Sequence, residues 1–341
     1  MRNQSHKNFN LISLFSGCGG MDLGFEGGFE VLKKSINKNI HPEWNINSGK
    51  KGWVILPHTC FKTVFANDIL SAAKAAWIPY FNDNGNEKKR FHLGSVVDLV
   101  KSSNSNGNNI FPKADVVIGG FPCQDFSVAG KRKGFKSLKG HHGRLLNNVD
   151  NPTEENRGKL YVWMKRVIEI VLPKVFVAEN VKGLVSLEDT KQIIENDFRK
   201  IGSGYLVVDA QVLYAPMFGV PQSRERIFFI GFRKDALKQK ALSELSKAKI
   251  IQEFYPYPKA THGINEPSIF PTEKLNPYVT AGDYILDLPE PEKSNDLSQQ
   301  SYSKAKWYGT HCQGQTEIDI GGIAPTIRAE HHGNIKDIWK N

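Results

Sequence analysis

Apolar runs of strand length recur through the first two thirds of the chain, each followed by a helical pattern. Asn10-Leu11-Ile12-Ser13-Leu14-Phe15 reads as a short buried strand. The turn Ser16-Gly17-Cys18-Gly19-Gly20 follows, and Met21-Asp22-Leu23-Gly24-Phe25 opens a helix. Thr63 to Ala66 is a second strand, ending in Asn67-Asp68, with a helix from Ser71 to Trp77. Ala114 to Gly120 is a third, and Lys174 to Ala178 a fourth, preceded by a helix over Leu160–Leu172. Arg226 to Phe232 is a later strand. Strands apolar on both faces, alternating with helices, predict a mostly parallel α/β sheet.

Three stretches break this rhythm. Lys33 to Gly52 is polar and basic, and the wider interval 33–58 reads as an insertion. Lys101 to Asn109 reads as a solvated loop. Lys131 to Gly158 has no apolar periodicity and reads as a second insertion. Beyond a short helix over Asp235–Ile251 the chain becomes Pro- and Tyr-rich and loses the strand–helix alternation. The expected division is a large domain over 1–234 and a smaller, irregular one over 235–341. No internal repeat is visible.

Composition narrows the class. With 341 residues and 40% hydrophobic positions, the chain can bury a substantial core. No run approaches the ~18 apolar residues of a membrane span. The N-terminus has charge but no apolar segment of a secretory signal. Four cysteines lie scattered, without metal-ligand spacing, so no metal and a reduced, cytoplasmic setting are expected. Forty-five basic against 35 acidic residues give a net charge of +10, which fits a polyanionic partner.

The candidate chemistry sits where strands end. A strand, then Gly17-x-Gly19-Gly20, then a helix lets backbone approach a ligand. The spacing is neither GxGxxG nor a phosphate-binding loop. Asp68 stands where a doubly wound fold holds a ribose diol, and equally where a helix cap would stand. Phe121-Pro122-Cys123-Gln124 puts a thiol at a strand's carboxyl end. Glu179-Asn180-Val181 puts a carboxylate at another. A thiol and a carboxyl facing one crevice supply a nucleophile and a proton donor, although each residue alone also fits a structural role. Alternation before the late strand puts Gln222, Arg224 and Arg226 on one face.

In this order and spacing, Phe15-Ser16-Gly17-Cys18-Gly19-Gly20, Pro122-Cys123-Gln124, Glu179-Asn180-Val181 and Gln222-x-Arg224-x-Arg226 resemble the DNA (cytosine-5)-methyltransferase family. The match runs over about 10–234. It resumes over Gly321–Asn334, where Ala324-Pro325-Thr326-Ile327-Arg328 looks like the link out of the family's target-recognition region.

The resemblance implies a Rossmann-like methyltransferase sheet, with S-adenosyl-L-methionine in the crevice and double-stranded DNA as partner. Phe15, Gly17, Cys18, Gly19, Gly20, Asp68, Ile69, Ser95, Val96, Pro122 and Leu160 would line the cofactor site. Ser95 stands where the family commonly has an aspartate, so its hold on the adenine amino group would be weaker. Cys123 as thiolate would add to cytosine C6. Glu179 would contact N3 and the exocyclic amine, Arg226 the base's O2, and Arg224 would steady Cys123 and nearby phosphate. The base must be flipped out of the duplex. Gln124, Ser127, Lys131, Arg132 and Lys133 would form a mobile loop over it, with Gln222 a further DNA contact. Tyr255, Tyr257, His262, Tyr302, Lys304, Lys306, Trp307 and Gln313 are the expected DNA-facing groups of the recognition region.

The expected role is a modification methyltransferase paired with a restriction endonuclease. A tRNA substrate, a non-catalytic DNA-binding remnant and a nicotinamide-dependent enzyme are the rival readings. The non-α/β region after 235 favours DNA over tRNA. In the family a basic segment and a Gly-Asn-containing segment follow the recognition region, and neither is found before Asn341. A split enzyme completed by a second, C-terminal polypeptide, a truncated or frameshifted product, and a sequence whose later residues were left out are the three explanations, and each predicts apolar surface exposed near the first strand and helix.

Overall fold

The computed structural model describes residues 8–81, 90–105, 109–122, 160–186, 189–264, 274–289, 293–295 and 319–326. The chain forms two compact units. One is Met1–Phe29, His58–Leu213 and Arg226–Pro258. The other is Glu30–Pro57, Tyr214–Glu225 and Lys259–Asn341. This differs from a single boundary at 234/235. Residues 235–258 pack in the first unit, and the basic stretch after Glu30 belongs to the second.

The first unit is built on an eight-stranded sheet. Its strands are β1 (Phe9–Leu14), β5 (Phe61–Asp68), β6 (Phe91–Leu93), β7 (Val116–Gly120), β8 (Val175–Val181), β9 (Tyr205–Val207), β10 (Gln211–Tyr214) and β11 (Glu225–Arg233). The order is β10-β11-β8-β7-β1-β5-β6, with β9 paired to β11. β1 pairs in parallel with β5 and β7, β5 with β6, and β7 with β8. β11 runs antiparallel to β8. The Rossmann-like α/β expectation therefore holds, with an antiparallel strand added beyond the parallel ones.

Helices cover the sheet as the hydrophobic pattern requires. They are α1 (Gly20–Glu26), α2 (Ser71–Tyr80), α3 (Val96–Ser105), α4 (Leu160–Val171) and α5 (Thr190–Arg199). α4 buries Leu160, Tyr161, Met164, Val167 and Ile168, a three-and-four spacing that makes one apolar stripe. α3 extends into the stretch read as a loop over Lys101–Asn109. Its buried Val96, Val97 and Val100 anchor the helix firmly enough to carry polar residues beyond them. α6 (Gln239–Leu245) and residues 250–257 close over Leu206, Phe228, Ile230 and Phe232, which explains why 235–258 stays with the sheet.

In the second unit the stretch after Glu30 is ordered rather than a plain loop. β2 (Glu30–Leu32), β3 (Ile46–Asn47) and β4 (Trp53–Ile55) form a small antiparallel sheet in the order β2-β4-β3. α7 (Ala281–Ile285) starts from a capping box in which Thr280 and Asp283 satisfy each other's backbone N–H groups.

Candidate active site

The carboxyl ends of β6, β5, β1, β7 and β8 lie side by side, so the motifs they carry form one row. At the end of β1 the backbone turns left-handed. Phe15 has φ 53°, Gly17 φ 54° and Gly19 φ 89°. For Phe15 that conformation is strained, and neighbours must hold it. Among the described residues nothing lies within 4 Å of a Cβ added at Gly17 or Gly20, whereas one at Gly19 would meet Phe81 and Trp77, so the turn is anchored at Gly19 and open at Gly17 and Gly20.

The turn is tied to β5. Gly17 N–H donates to Asp68 Oδ2 at 2.9 Å, and Leu70 N–H donates to Oδ1 at 2.9 Å. Asp68 thus braces both the glycine turn and the start of α2. Each carboxylate oxygen keeps acceptor capacity beyond these bonds. Asp68 O accepts from Gly94 N–H at 2.9 Å, which sets Ser95 beside it. Ser95 Oγ accepts from Val97 N–H at 3.2 Å at the start of α3. Ile69 and Leu93 are exposed at these strand ends, while Cys18 is exposed on the turn. Val96 and Leu160 are buried in the main core, with Phe15 packed against it. Pro122 is half-buried just past β7.

Beneath the turn lies a buried polar chain that sequence patterning missed. Asp22 is fully buried and accepts from Ser13 Oγ at 2.9 Å and Trp77 Nε1 at 3.4 Å. Ser16 Oγ donates toward Ser13 and accepts from Asn67 N–H at 3.1 Å. Asn67 Nδ2 donates to the carbonyls of His92 and Gly94. One network therefore joins the loops after β1, β5 and β6. A polar residue on the inward side of α1 was the available signal. Burial pushes the Asp22 carboxyl up to about 6, because its charged form loses water.

On the other side of the row, Arg226 Nε donates to Glu179 Oε1 at 2.8 Å, and both side chains are mostly buried. Arg226 pairs with Val181 across the β8–β11 ladder, which sets the two side chains on one face. Gly120 leaves the space that Glu179 uses. A Cβ there would lie 2.9 Å from Glu179 Oε2. Asn180 is buried, and its Nδ2 donates to Phe121 O at 3.2 Å, tying the end of β8 to the turn that leads to Cys123.

Several expectations change. Gln222, Arg224 and Arg226 do not share a strand face. β11 begins at Glu225, while Arg224 N–H bonds Gln222 O and Gln222 bridges to Ala324 in the second unit. Tyr257 is not DNA-facing. It is buried, with its hydroxyl donating toward the carbonyls of Asp209 and Phe228. His262 is likewise fully buried. Among the described residues the exposed apolar side chains expected near the first strand and helix are not on β1 or α1 themselves but at the ends of the neighbouring strands, at Ile69, Leu70 and Leu93. Cys123, Gln124, Ser127, Lys131, Arg132, Lys133, Tyr302, Lys304, Lys306, Trp307 and Gln313 lie outside the described residues, as does the 131–158 insertion.

A cavity of about 350 Å³ lined by Asn8, Glu26, His58, Lys62 and Tyr80 lies at the opposite, amino-terminal ends of β1 and β5. Among the described residues no group of metal-ligating side chains occurs, and no helix is long and apolar enough to cross a membrane.

Comparison with known proteins gives a consistent answer. The family model described as C-5 cytosine-specific DNA methylase matches residues 9–340. Type II methyltransferase M.BspRI of Lysinibacillus sphaericus is 34% identical over 82% of this chain and 52% of its own length. Type II methyltransferase M.NgoFVII of Neisseria gonorrhoeae is 32% identical over 86% of this chain and 57% of its own. The chain thus spans about half the length of these relatives. Type II methyltransferase M.AquIA of Picosynechococcus is 30% identical over 82% of this chain and 88% of its own length.

Proposed function

Because the chain belongs to the C-5 cytosine-specific DNA methylase family, we propose that it transfers a methyl group to C5 of cytosine in double-stranded DNA, within a type II restriction-modification system. The observation that carries this reading is the row of strand ends, with Asp68 bracing the glycine turn at one end and Glu179 locked to Arg226 at the other.

The residues fit S-adenosylmethionine. The glycine turn is open at Gly17 and Gly20 among the described residues, and Asp68 retains acceptor capacity for a ribose diol. When bound, the cofactor supplies an electrophilic methyl group. Phe15, Gly17–Gly20, Asp68, Ile69, Ser95, Val96, Pro122 and Leu160 would hold and orient it. Cys123, as thiolate, adds to C6 of a flipped-out cytosine, which makes C5 nucleophilic. Glu179, fixed by Arg226, holds N3 and the exocyclic amine and so stabilises the charge that reaches the ring. After methyl transfer C5 loses its proton, and the C6–S bond breaks to restore the thiolate. Arg224, Gln222 and the segment from Gln124 to Lys133 are assigned to DNA.

The test is covalent trapping. A duplex carrying 5-fluorocytosine at the target should give a denaturation-resistant adduct, since fluorine does not leave as the proton does. The assay is run with the chain and S-adenosylmethionine. Cys123→Ser should give no adduct. An undiminished adduct in that variant removes Cys123 from the nucleophile role. Equal trapping on a tRNA transcript would favour the RNA reading.

A further inference from the structure

The basic stretch after Glu30 has no role in the reading above, yet the second unit is built around it. Ser35, Ile36 and Asn37 are buried, while Lys33, Lys34 and Lys38 on either side are exposed. Asn37 Nδ2 donates to the carbonyls of Thr261 and Lys274 at 3.0 and 2.9 Å. Asn276 Nδ2 donates to Ile36 O at 2.8 Å. His262 Nε2 donates to Lys34 O at 2.7 Å, while its Nδ1 lies 2.8 Å from Thr261 Oγ1. Burial lowers the pKa of this ring, in keeping with a neutral structural histidine. Gly219, at φ 80°, packs so closely that a Cβ would overlap the Ser35 carbonyl oxygen. Residues 33–38 are thus locked to the recognition region and to the segment leading to Gln222 and Arg224.

The lysines differ in their surroundings. Lys34 is neutralised by Asp283 at 2.5 Å. Lys50 is neutralised by Glu30 at 2.5 Å. Lys33 and Lys38 have no carboxylate partner among the described residues. Lys33 and Lys38 are exposed on either side of the buried Ser35–Asn37 segment, and desolvation, then the positive charge of Lys33, holds the pKa of Lys38 below the usual lysine value. Two exposed cations that repel each other and lack an acid between them gain most from a bound anion. A phosphodiester backbone supplies anions as a regular array, and phosphate contacts fix register without reading sequence.

We propose that Lys33 and Lys38 bind the DNA phosphate backbone, so that residues 30–57 are a working part of the DNA-recognition unit. This rests on the reading of the chain as a DNA methyltransferase.

The experiment measures binding of a fluorescein-labelled duplex of mixed sequence by anisotropy, across a salt series. Each phosphate contact contributes about 0.9 to the slope of log K against log salt. The double variant Lys33→Gln/Lys38→Gln should therefore flatten that slope by about 1.8 relative to the unsubstituted chain. Lys200→Gln/Lys238→Gln, an equal charge change at exposed sites of the first unit, should leave it nearly unaltered. The proposal fails if the first pair leaves the slope of a DNA-binding chain unchanged, or if the control pair flattens it equally. Absence of duplex binding by the unsubstituted chain would overturn both the proposal and the DNA reading. Binding with an unchanged slope overturns the proposal alone.

Discussion

Asp22→Asn tests whether the polar chain under the glycine turn has been read correctly. The carboxyl is fully buried, and desolvation raises its pKa from 3.8 to about 6. Glu26 adds a smaller push in the same direction. In the unfolded chain Asp22 loses its proton near 3.8, whereas the folded chain keeps it until about 6. Across that window the native state binds more protons, so stability falls as pH rises. Two pKa units at about 1.4 kcal/mol each give a loss of about 3 kcal/mol, complete above the folded value. Asparagine cannot ionise, so this part of the pH dependence should vanish. It has one acceptor oxygen instead of two, and leaving Ser13 or Trp77 without its partner costs about 1–2 kcal/mol. The variant should therefore be less stable than the unsubstituted chain near pH 4, and equal or more stable near pH 7.5. Urea midpoints at a common m-value, taken across that range, measure the crossover. Parallel pH profiles for the two proteins would refute the assignment of a raised carboxyl at Asp22.

Gly120→Ala should leave the urea midpoint almost unchanged, because among the described residues the added Cβ meets only the side-chain end of Glu179, at 2.9 Å. It should still cut the methylation rate at least tenfold by displacing that carboxylate from Arg226, as measured by tritiated methyl incorporation. Asp68→Ala should weaken S-adenosylmethionine binding by calorimetry, since it removes both the proposed diol acceptor and the brace on Gly17. Glu179→Gln should instead leave cofactor affinity within a few-fold and lower the rate of transfer. Similar losses of cofactor affinity in both variants would mean that the two ends of the row are not separate in function.

The sequence by itself determined the sheet and the ends of its strands. Runs such as Leu11–Leu14 and Val116–Ile118 are apolar on both faces, and only a sheet covered on both sides buries them. The order of the Gly, Pro-Cys, Glu-Asn and Gln-x-Arg-x-Arg motifs identified the family because each sits at a chain position that local pattern resolves. Long-range partners carry no such local signature. Asp22 looked like an ordinary helix residue until Ser13 and Trp77 were found against it. Tyr257 and His262 looked like surface groups because polar tips are usually wet, but backbone carbonyls far along the chain satisfy them inside. The strand face expected for Gln222 and Arg224 was lost to a turn paired with Ala324. The basic stretch after Glu30 read as a polar insertion because its few buried residues have no periodicity. Its fold comes from Asn37, whose hydrogen bonds reach residues more than two hundred positions away, and only the tertiary structure brings those together.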